Sequence, residues 1–211
     1  MDIENIWQQF TKRQFEYLSD IVSHSNAKTV CEIGVFCGSV ARAIWKGMEN
    51  SDKELYLIDN YSFLPEKFRK PFFKMIKKTI SSNDRIHTLL EDSHKYDWTK
   101  HDFIIFSHAD YDHMKNDFDK LLTVNVKTVA LDIPFGCFKR TTTILEALKD
   151  KKLRPQYYID GMLICGQMTH CSLPTEEGTL FGNPIRYVKK KKGSYQTAID
   201  KIVGNLKGTK A

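Results

Sequence analysis

The stretch VCEIGVFCGSVAR places a carboxylate, Glu32, just before two glycines, Gly34 and Gly38. Glycine lets the backbone approach a ligand closely, and the start of a helix supplies unpaired N–H groups. A dinucleotide site would show a GxGxxG spacing with a diphosphate at this turn, and Glu32 would repel a diphosphate. The turn therefore favours a ligand that carries a positive charge, such as the ammonium group of an amino acid.

A second carboxylate, Asp59, ends the apolar run LYLID about 20 residues after Gly38, where an acidic residue can accept hydrogen bonds from a ribose. An adenosyl group joined to an amino acid would bring an ammonium group to Glu32 and ribose hydroxyls to Asp59. The alternative is structural: the glycines form a tight strand-to-helix turn, and Asp59 caps the next turn together with Asn60.

The elements that must position these residues follow a repeated strand-then-helix pattern. Apolar, β-branched runs predict strands at 29–36, 54–59, 102–107 and 127–133, with a weaker one at 85–91. Helical periodicity predicts helices at 3–23, 39–49, 66–80, 112–122 and 141–149. We therefore predict an α/β fold with a doubly wound (Rossmann-like), mostly parallel sheet and helices on both faces. The dipeptide Asp160-Gly161 predicts a C-terminal antiparallel hairpin.

The chain of 211 residues is expected to form one domain. Its parts are an N-terminal helix at 3–23, a core at 28–168 and a C-terminal extension at 169–211 with a basic tail. No secretory signal and no apolar run of membrane-span length is visible, so a soluble, cytoplasmic protein is expected. Five cysteines without a CxxC pair predict free thiols rather than disulfides or a zinc site: Cys31, Cys37, Cys137, Cys165 and Cys171.

The formal net charge of +6 raises the question of a nucleic-acid partner. Much of the excess lies in the lysines at 189–192 and near the C-terminus, which a solvated tail explains equally well. A second basic stretch, KFRKPFFKMIKK at 67–78, interleaves lysines with aromatic and aliphatic residues, as a surface helix with one buried face would. Nucleic acid is therefore an alternative partner but not the favoured one.

Four segments, EIGVFCGSVARAI, LYLIDNYSF, LLEDSHKY and DFIIFSHADYDHMKNDFDKLL, occur in an order that resembles the class I S-adenosylmethionine-dependent methyltransferases. The resemblance is strongest to their small O-methyltransferase-like branch and covers roughly residues 28 to 168. It implies S-adenosyl-L-methionine as the cofactor.

The resemblance implies that the first turn, Glu32 to Gly38, frames the methionine part of the cofactor. Gly34 and Phe36 belong to this turn. Asp59 would hold the ribose. Asp92 would face the adenine amino group, and Ser93 could cap the following turn through its hydroxyl.

The chain departs from the family pattern after the fourth strand, where it reads FSHADYDH from Phe106. The relatives usually carry two acidic residues and a histidine here, whereas this chain matches only with a two-residue deletion that puts His108 in place of an aspartate. A hard cation prefers carboxylate and carbonyl ligands, so a magnesium site is not expected. Histidines with Asp110 and Asp132 could bind a transition metal instead, but their spacing is not diagnostic, and no metal ligands are assigned. We expect His108 to act as a general base, because a histidine titrates near neutral pH and this one leaves the end of a central strand. Asp110 and Asp132 would orient this base or the acceptor.

Together these features predict a methyltransferase that acts on a small hydroxylated molecule or sugar. Two alternatives stay open: a hydrolase or lyase that cleaves S-adenosylmethionine without an acceptor, and a nucleic-acid-binding module with a vestigial pocket. A nicotinamide dehydrogenase is disfavoured by Glu32 and by the absence of GxGxxG. The sequence predicts no oligomeric state.

Overall fold

We analysed a computed structural model of the chain that describes residues 12–80, 83–107, 111–132, 146–148, 153–159, 162–167, 171–180 and 183–188. The helices are α1 (Lys12–His24), α2 (Ser39–Met48), α3 (Glu66–Ile80) and α4 (Tyr111–Leu121), and residues 146–148 are also helical. The strands are β1 (Thr29–Ile33), β2 (Glu54–Asp59), β3 (Ile86–Leu90), β4 (Phe103–Phe106), β5 (Thr128–Asp132), β6 (Pro155–Ile159), β7 (Met162–Gly166), β8 (Thr175–Leu180) and β9 (Asn183–Val188).

The nine strands form one sheet in the order β3-β2-β1-β4-β5-β7-β6-β9-β8. The first five strands pair in parallel, and β7 is antiparallel to both β5 and β6. The chain order reverses beside β1, which is the switch point at which open α/β sheets bind their ligands. The predicted doubly wound sheet and the hairpin between β6 and β7 are confirmed.

A second antiparallel hairpin, formed by β8 and β9, extends the sheet beyond the predicted one. These residues lie in the predicted C-terminal extension, for which the sequence pattern indicated no strands. The segment TEEGTL carries two charged residues and a glycine, so it lacks the apolar, β-branched run by which the other strands were found. Its strand is defined instead by pairing with β9, and β9 pairs in parallel with β6.

Apolar residues cover both faces of the parallel strands, as a sheet between two helical layers requires. Successive residues of β1 and β4 divide between the faces: Val30 and Phe103 pack on one side, and Cys31 and Ile104 on the other. The first side buries helix residues of α1, α2 and α3, and the second buries those of α4 together with Trp98. Both layers hold the carboxyl ends of β1, β2 and β4 in fixed positions.

None of the helices in the described ranges is long and apolar enough to cross a membrane. Cys31, Cys37 and Cys165 are buried free thiols and Cys171 is a half-buried one, while Cys137 lies outside the described residues.

The first turn is held between α2 and the end of α3. Gly38 is the N-cap of α2 and has a φ of 80°, a left-handed conformation that favours glycine. A Cβ atom at this position would overlap Cδ1 of Ile80 and lie 3.1 Å from its Cγ1. The left-handed φ therefore favours glycine here independently of any ligand, and a side chain would also displace the end of Ile80.

We expect Gly38→Ala to lower the free energy of unfolding by about 1–3 kcal/mol, because it combines a left-handed alanine with the overlap on Ile80. In an Ile80→Val background, which lacks Cδ1, the same substitution should cost less. Urea unfolding of the four proteins gives both costs as a double-mutant cycle. Equal costs in the two backgrounds would show that the contact with Ile80 contributes nothing.

Candidate functional site

Three polar side chains meet where β1, β2 and β4 end. The register places Ile33 beside Ile58 of β2 and beside Phe106 of β4. Glu32 near the end of β1, Asp59 at the end of β2 and Ser107 just after β4 therefore share one edge of the sheet. The backbone closes around them, because the Gly34 amide donates to the Ile58 carbonyl and the Ser107 amide donates to the Ile33 carbonyl.

The Glu32 side chain is fully buried, with 0% of its surface exposed. Ser107 Oγ donates a hydrogen bond of 3.0 Å to Glu32 Oε1. The other carboxylate oxygen, Oε2, is buried without a hydrogen-bond partner among the described residues. A buried polar atom left unpaired costs about 1–3 kcal/mol, so the fold leaves this acceptor unsatisfied at the expense of stability.

Burial raises the pKa of Glu32 well above its usual range, and the negative charge of Asp59 raises it further. The hydrogen bond from Ser107 acts in the opposite direction, because it stabilises the carboxylate. A cationic donor at Oε2 would pair the charge and lower the pKa again. The site is therefore suited to an ammonium group and unsuited to a phosphate.

The backbone of the first turn departs from ordinary geometry at three positions. Gly34, Phe36 and Gly38 have φ values of 86°, 47° and 80°. A positive φ is uncommon for an aromatic residue, and surrounding contacts must hold it. The Phe36 amide donates a hydrogen bond of 2.9 Å to Asp59 Oδ2, which fixes the turn to the end of β2.

Asp59 also fixes the turn that follows β2. Its Oδ1 accepts a hydrogen bond of 2.6 Å from the amide of Tyr61, whose φ is 51°. A carboxylate offers about four acceptor positions, so these two bonds are compatible with further donors such as ribose hydroxyls. The predicted role of Asp59 as a turn cap and its predicted role in ribose binding are thus both compatible with the geometry. The ribose contact stays a prediction.

Asp92 and Ser93 follow β3, whose last residue, Leu90, pairs with Asp59. Asp92 is half-buried, and its Oδ1 accepts a hydrogen bond from the His94 amide. Ser93 Oγ donates a bond of 2.6 Å to the fully buried Asp117 of α4. The serine hydroxyl is therefore used within the fold, whereas Asp92 lies on the same edge of the sheet as Asp59.

Lys120 of α4 holds the loop that contains Asp92. Its Nζ donates to the carbonyls of Ser93 and His94, each at 2.8 Å, and to the carbonyl of Tyr96. The ammonium also lies 4.8 Å from the centre of the Trp98 ring. Burial lowers the pKa of Lys120, while Asp117 and neighbouring acidic residues act against that shift. Sequence reasoning missed Lys120 and Ser107, because both act through contacts between distant segments.

The three predicted catalytic residues are only partly covered by the structure. His108 and Asp110 lie outside the described residues. Asp132 ends β5, where its backbone pairs with Met162. Their joint role stays a prediction. Among the residues that the structure describes, no group of three or more His, Cys, Asp or Glu side chains could hold a metal ion.

An aromatic rim connects the first turn with α3. The rings of Phe36 and Phe63 meet edge to face at a centroid distance of 5.3 Å, and Phe63 contacts Phe72 of α3 at 6.4 Å. Tyr61 is buried between them, with its ring 5.2 Å from that of Phe72. Phe63 itself is 56% exposed, so this rim presents an aromatic surface to solvent beside the site.

Comparison with known proteins gave matches in structure only. No protein-family model and no curated protein sequence matches the chain. An O-methyltransferase family protein from Burkholderia thailandensis has a TM-score of 0.56 at 10% identity, over 79% of this chain and 59% of that one.

Two further structures are similar. Human N-acetylserotonin methyltransferase in complex with S-adenosylmethionine has a TM-score of 0.54 at 12% identity, over 79% of this chain and 55% of that one. An S-adenosylmethionine-dependent O-methyltransferase from Thermotoga maritima has a TM-score of 0.53 at 12% identity, over 91% of this chain and 67% of that one.

The chain spans between 55% and 67% of the lengths of these three proteins. At such low identities the similarity defines the fold alone. This chain therefore has the Rossmann-like fold that S-adenosylmethionine-dependent methyltransferases also have.

Proposed function

We propose that the protein is a S-adenosylmethionine-dependent methyltransferase that methylates a hydroxyl group of a small molecule or sugar. The observation that carries the proposal is the unpaired, fully buried Oε2 of Glu32 at the end of β1. A buried carboxylate with an unsatisfied oxygen lowers the stability of the ligand-free protein, and a cationic donor would offset that cost. The amino acid part of the cofactor brings the ammonium group that would pair with it.

The other residues at this edge fit the rest of the cofactor. Asp59 would accept hydrogen bonds from the ribose hydroxyls, and Asp92, half-buried on the same edge of the sheet, would accept one from the adenine amino group. Gly34, with a φ of 86°, leaves its own position in the first turn without a side chain. The negative charge of Glu32 and the absence of a GxGxxG spacing disfavour the diphosphate of a nicotinamide or flavin dinucleotide.

When bound, S-adenosylmethionine supplies an electrophilic methyl group on its sulfonium. The protein's contribution is to fix the cofactor and acceptor in line and to remove the acceptor proton. We assign the removal of the acceptor proton to His108. Asp110 and Asp132 would orient that histidine or the acceptor. These assignments rest on the sequence positions of the three residues.

Product analysis tests the reaction class. Incubation with S-adenosylmethionine and a panel of small hydroxylated compounds and sugars should release S-adenosylhomocysteine only when an acceptor is present, as measured by liquid chromatography and mass spectrometry. The turnover should persist in EDTA, because no metal ligand is assigned. His108→Ala should lower kcat by about 10²–10⁴-fold with little change in cofactor affinity.

Other products would contradict this proposal. Adenosyl products that form without an acceptor would identify a hydrolase or lyase. Tight cofactor binding without any turnover would favour a binding module with a vestigial pocket. Loss of turnover in EDTA that magnesium alone restores would show a metal site.

We expect Glu32→Gln to stabilise the ligand-free protein and to remove the thermal stabilisation by S-adenosylhomocysteine, because it eliminates the buried charge that the ligand would pair. Differential scanning fluorimetry with and without ligand measures both effects. Glu176→Gln, on the exposed edge strand β8, is the matched control and should change neither. A Glu32→Gln protein that melts lower without ligand yet gains the wild-type stabilisation with it would make Glu32 a structural residue.

The raised pKa of Glu32 also predicts that the effect of Glu32→Gln on stability depends on pH. The pKa of Glu32 is raised in the folded state, so its contribution to stability is present below the unfolded-state pKa and is lost as the pH rises through the folded-state pKa. The ligand-free Glu32→Gln protein should therefore gain stability relative to wild type as the pH is raised from 4 towards 8. Urea unfolding across this range gives the difference, and a constant difference would contradict the raised pKa.

A further inference from the structure

Helix α3 carries an excess of positive charge that its own sequence does not balance. Its six cationic residues are Lys67, Arg69, Lys70, Lys74, Lys77 and Lys78, and its one acidic residue is Glu66. Lys70, Lys74 and Lys78 are exposed and form no ion pair with the residues that the structure describes. This differs from the lysines of other elements, such as Lys46 and Lys127, whose Nζ atoms lie 2.6 Å from Glu49 and Asp102.

The charged and apolar residues of α3 lie on different sides of the helix. Ile76 and Ile80 are buried and mark the side that faces the sheet. At about 100° per residue, Lys67, Lys74 and Lys78 lie close to the opposite side. Over Lys67 to Lys78 this row of lysines is about 17 Å long.

Two apolar residues lie along one flank of that row. Phe68 and Met75 are two helical turns apart on the same face and are 51% and 38% exposed. The Lys67 ammonium lies 5.0 Å from the centre of the Phe68 ring, so a cation and an aromatic ring already lie side by side here. Apolar side chains beside lysines that have no ion pair among the described residues provide both a surface for planar rings and a set of partners for anions.

This flank continues into the aromatic rim of the candidate site. Phe63, 56% exposed, contacts both Phe36 of the first turn and Phe72 of α3. Arg69 donates to the carbonyls of Leu64 and Ser62, which fixes the turn that carries Phe63 onto the helix. The exposed rings and the lysine row are therefore held in one arrangement.

We propose that this surface, defined by Phe63, Phe68, Met75, Lys67, Lys70, Lys74 and Lys78 and called the α3 surface below, binds single-stranded nucleic acid. A single strand offers a row of phosphates for the lysines and unstacked bases for the exposed rings. The proposal concerns binding and does not depend on which molecule accepts a methyl group. The lysines are well placed for a linear polyanion because they form a row rather than a cluster.

The distribution of residues favours a polynucleotide over a lipid surface. A helix that lies on a membrane directs its apolar residues towards the acyl chains, with the lysines beside or above them. Here the side of α3 that is farthest from the sheet carries lysines, and Phe68 and Met75 lie to one flank. A flat surface that approached α3 would meet the lysines first.

Fluorescence anisotropy with a labelled 20-nucleotide oligouridine tests the proposal on the full chain without cofactor. The variant Lys70→Ser/Lys74→Ser/Lys78→Ser should bind at least tenfold more weakly at 0.1 M salt. The slope of log Kd against log salt concentration should fall by about 2, since each lost phosphate contact on a single strand contributes about 0.7. The control Lys28→Ser/Lys46→Ser/Lys127→Ser removes the same charge elsewhere and should weaken binding less than threefold.

A second variant separates ring contacts from charge. Phe68→Ser/Met75→Ser should weaken binding at least fivefold and leave the salt slope unchanged, because it removes base stacking but no phosphate contact. Circular dichroism checks that each variant is folded. As a measurement that needs no variant, photo-crosslinking of wild type to 4-thiouridine-labelled RNA should give crosslinked peptides within residues 61–80.

Three results would overturn the proposal. Equal losses in the two triple-lysine variants would show that binding follows net charge alone. Crosslinks confined to other segments would place any nucleic acid elsewhere. Binding to vesicles of phosphatidylcholine and phosphatidylserine that requires Lys70, Lys74 and Lys78, without RNA binding, would make the α3 surface a lipid contact.

Discussion

The burial of the Glu32 carboxylate is the constraint on which the site depends. Glu32 lies on the central strand β1, between β2 and β4, and its side chain is 0% exposed. Ser107 satisfies one oxygen and leaves the other unpaired. A fold selected for stability alone would fill this position with an apolar residue or complete the pairing. A ligand with a cationic donor would complete this pairing.

Asp59 connects this carboxylate to the surrounding backbone. By accepting from the amides of Phe36 and Tyr61 it holds two residues with positive φ in place, one after β1 and one after β2. Its charge also raises the pKa of Glu32, because the two negative charges repel each other. One residue thus shapes the turn and increases the electrostatic preference for a positively charged ligand. The price of this arrangement is a less stable ligand-free protein.

The sequence predicted those parts of the structure that depend on local patterns. The parallel strands were recognised from apolar runs such as TVCEI and FIIF, and the rule that ligands bind at the carboxyl ends of strands located Glu32 and Asp59. The sequence did not reveal that Ser107 pairs with Glu32, because a serine after a strand is common and its partner lies on another strand. The contact of Gly38 with Ile80 and the three carbonyl bonds of Lys120 were missed for the same reason. The hairpin of β8 and β9 was missed because its strands are defined by pairing rather than by hydrophobicity.

The central claim is that the unpaired oxygen of Glu32 binds the ammonium group of an adenosyl amino acid. Isothermal titration calorimetry of wild type and Glu32→Gln with S-adenosylhomocysteine, and with an analogue in which hydrogen replaces the α-amino group, tests it directly. In wild type the amino group should improve affinity at least tenfold, or about 1.4 kcal/mol, and in Glu32→Gln this advantage should largely disappear. Equal affinity of wild type for the two ligands would contradict the account.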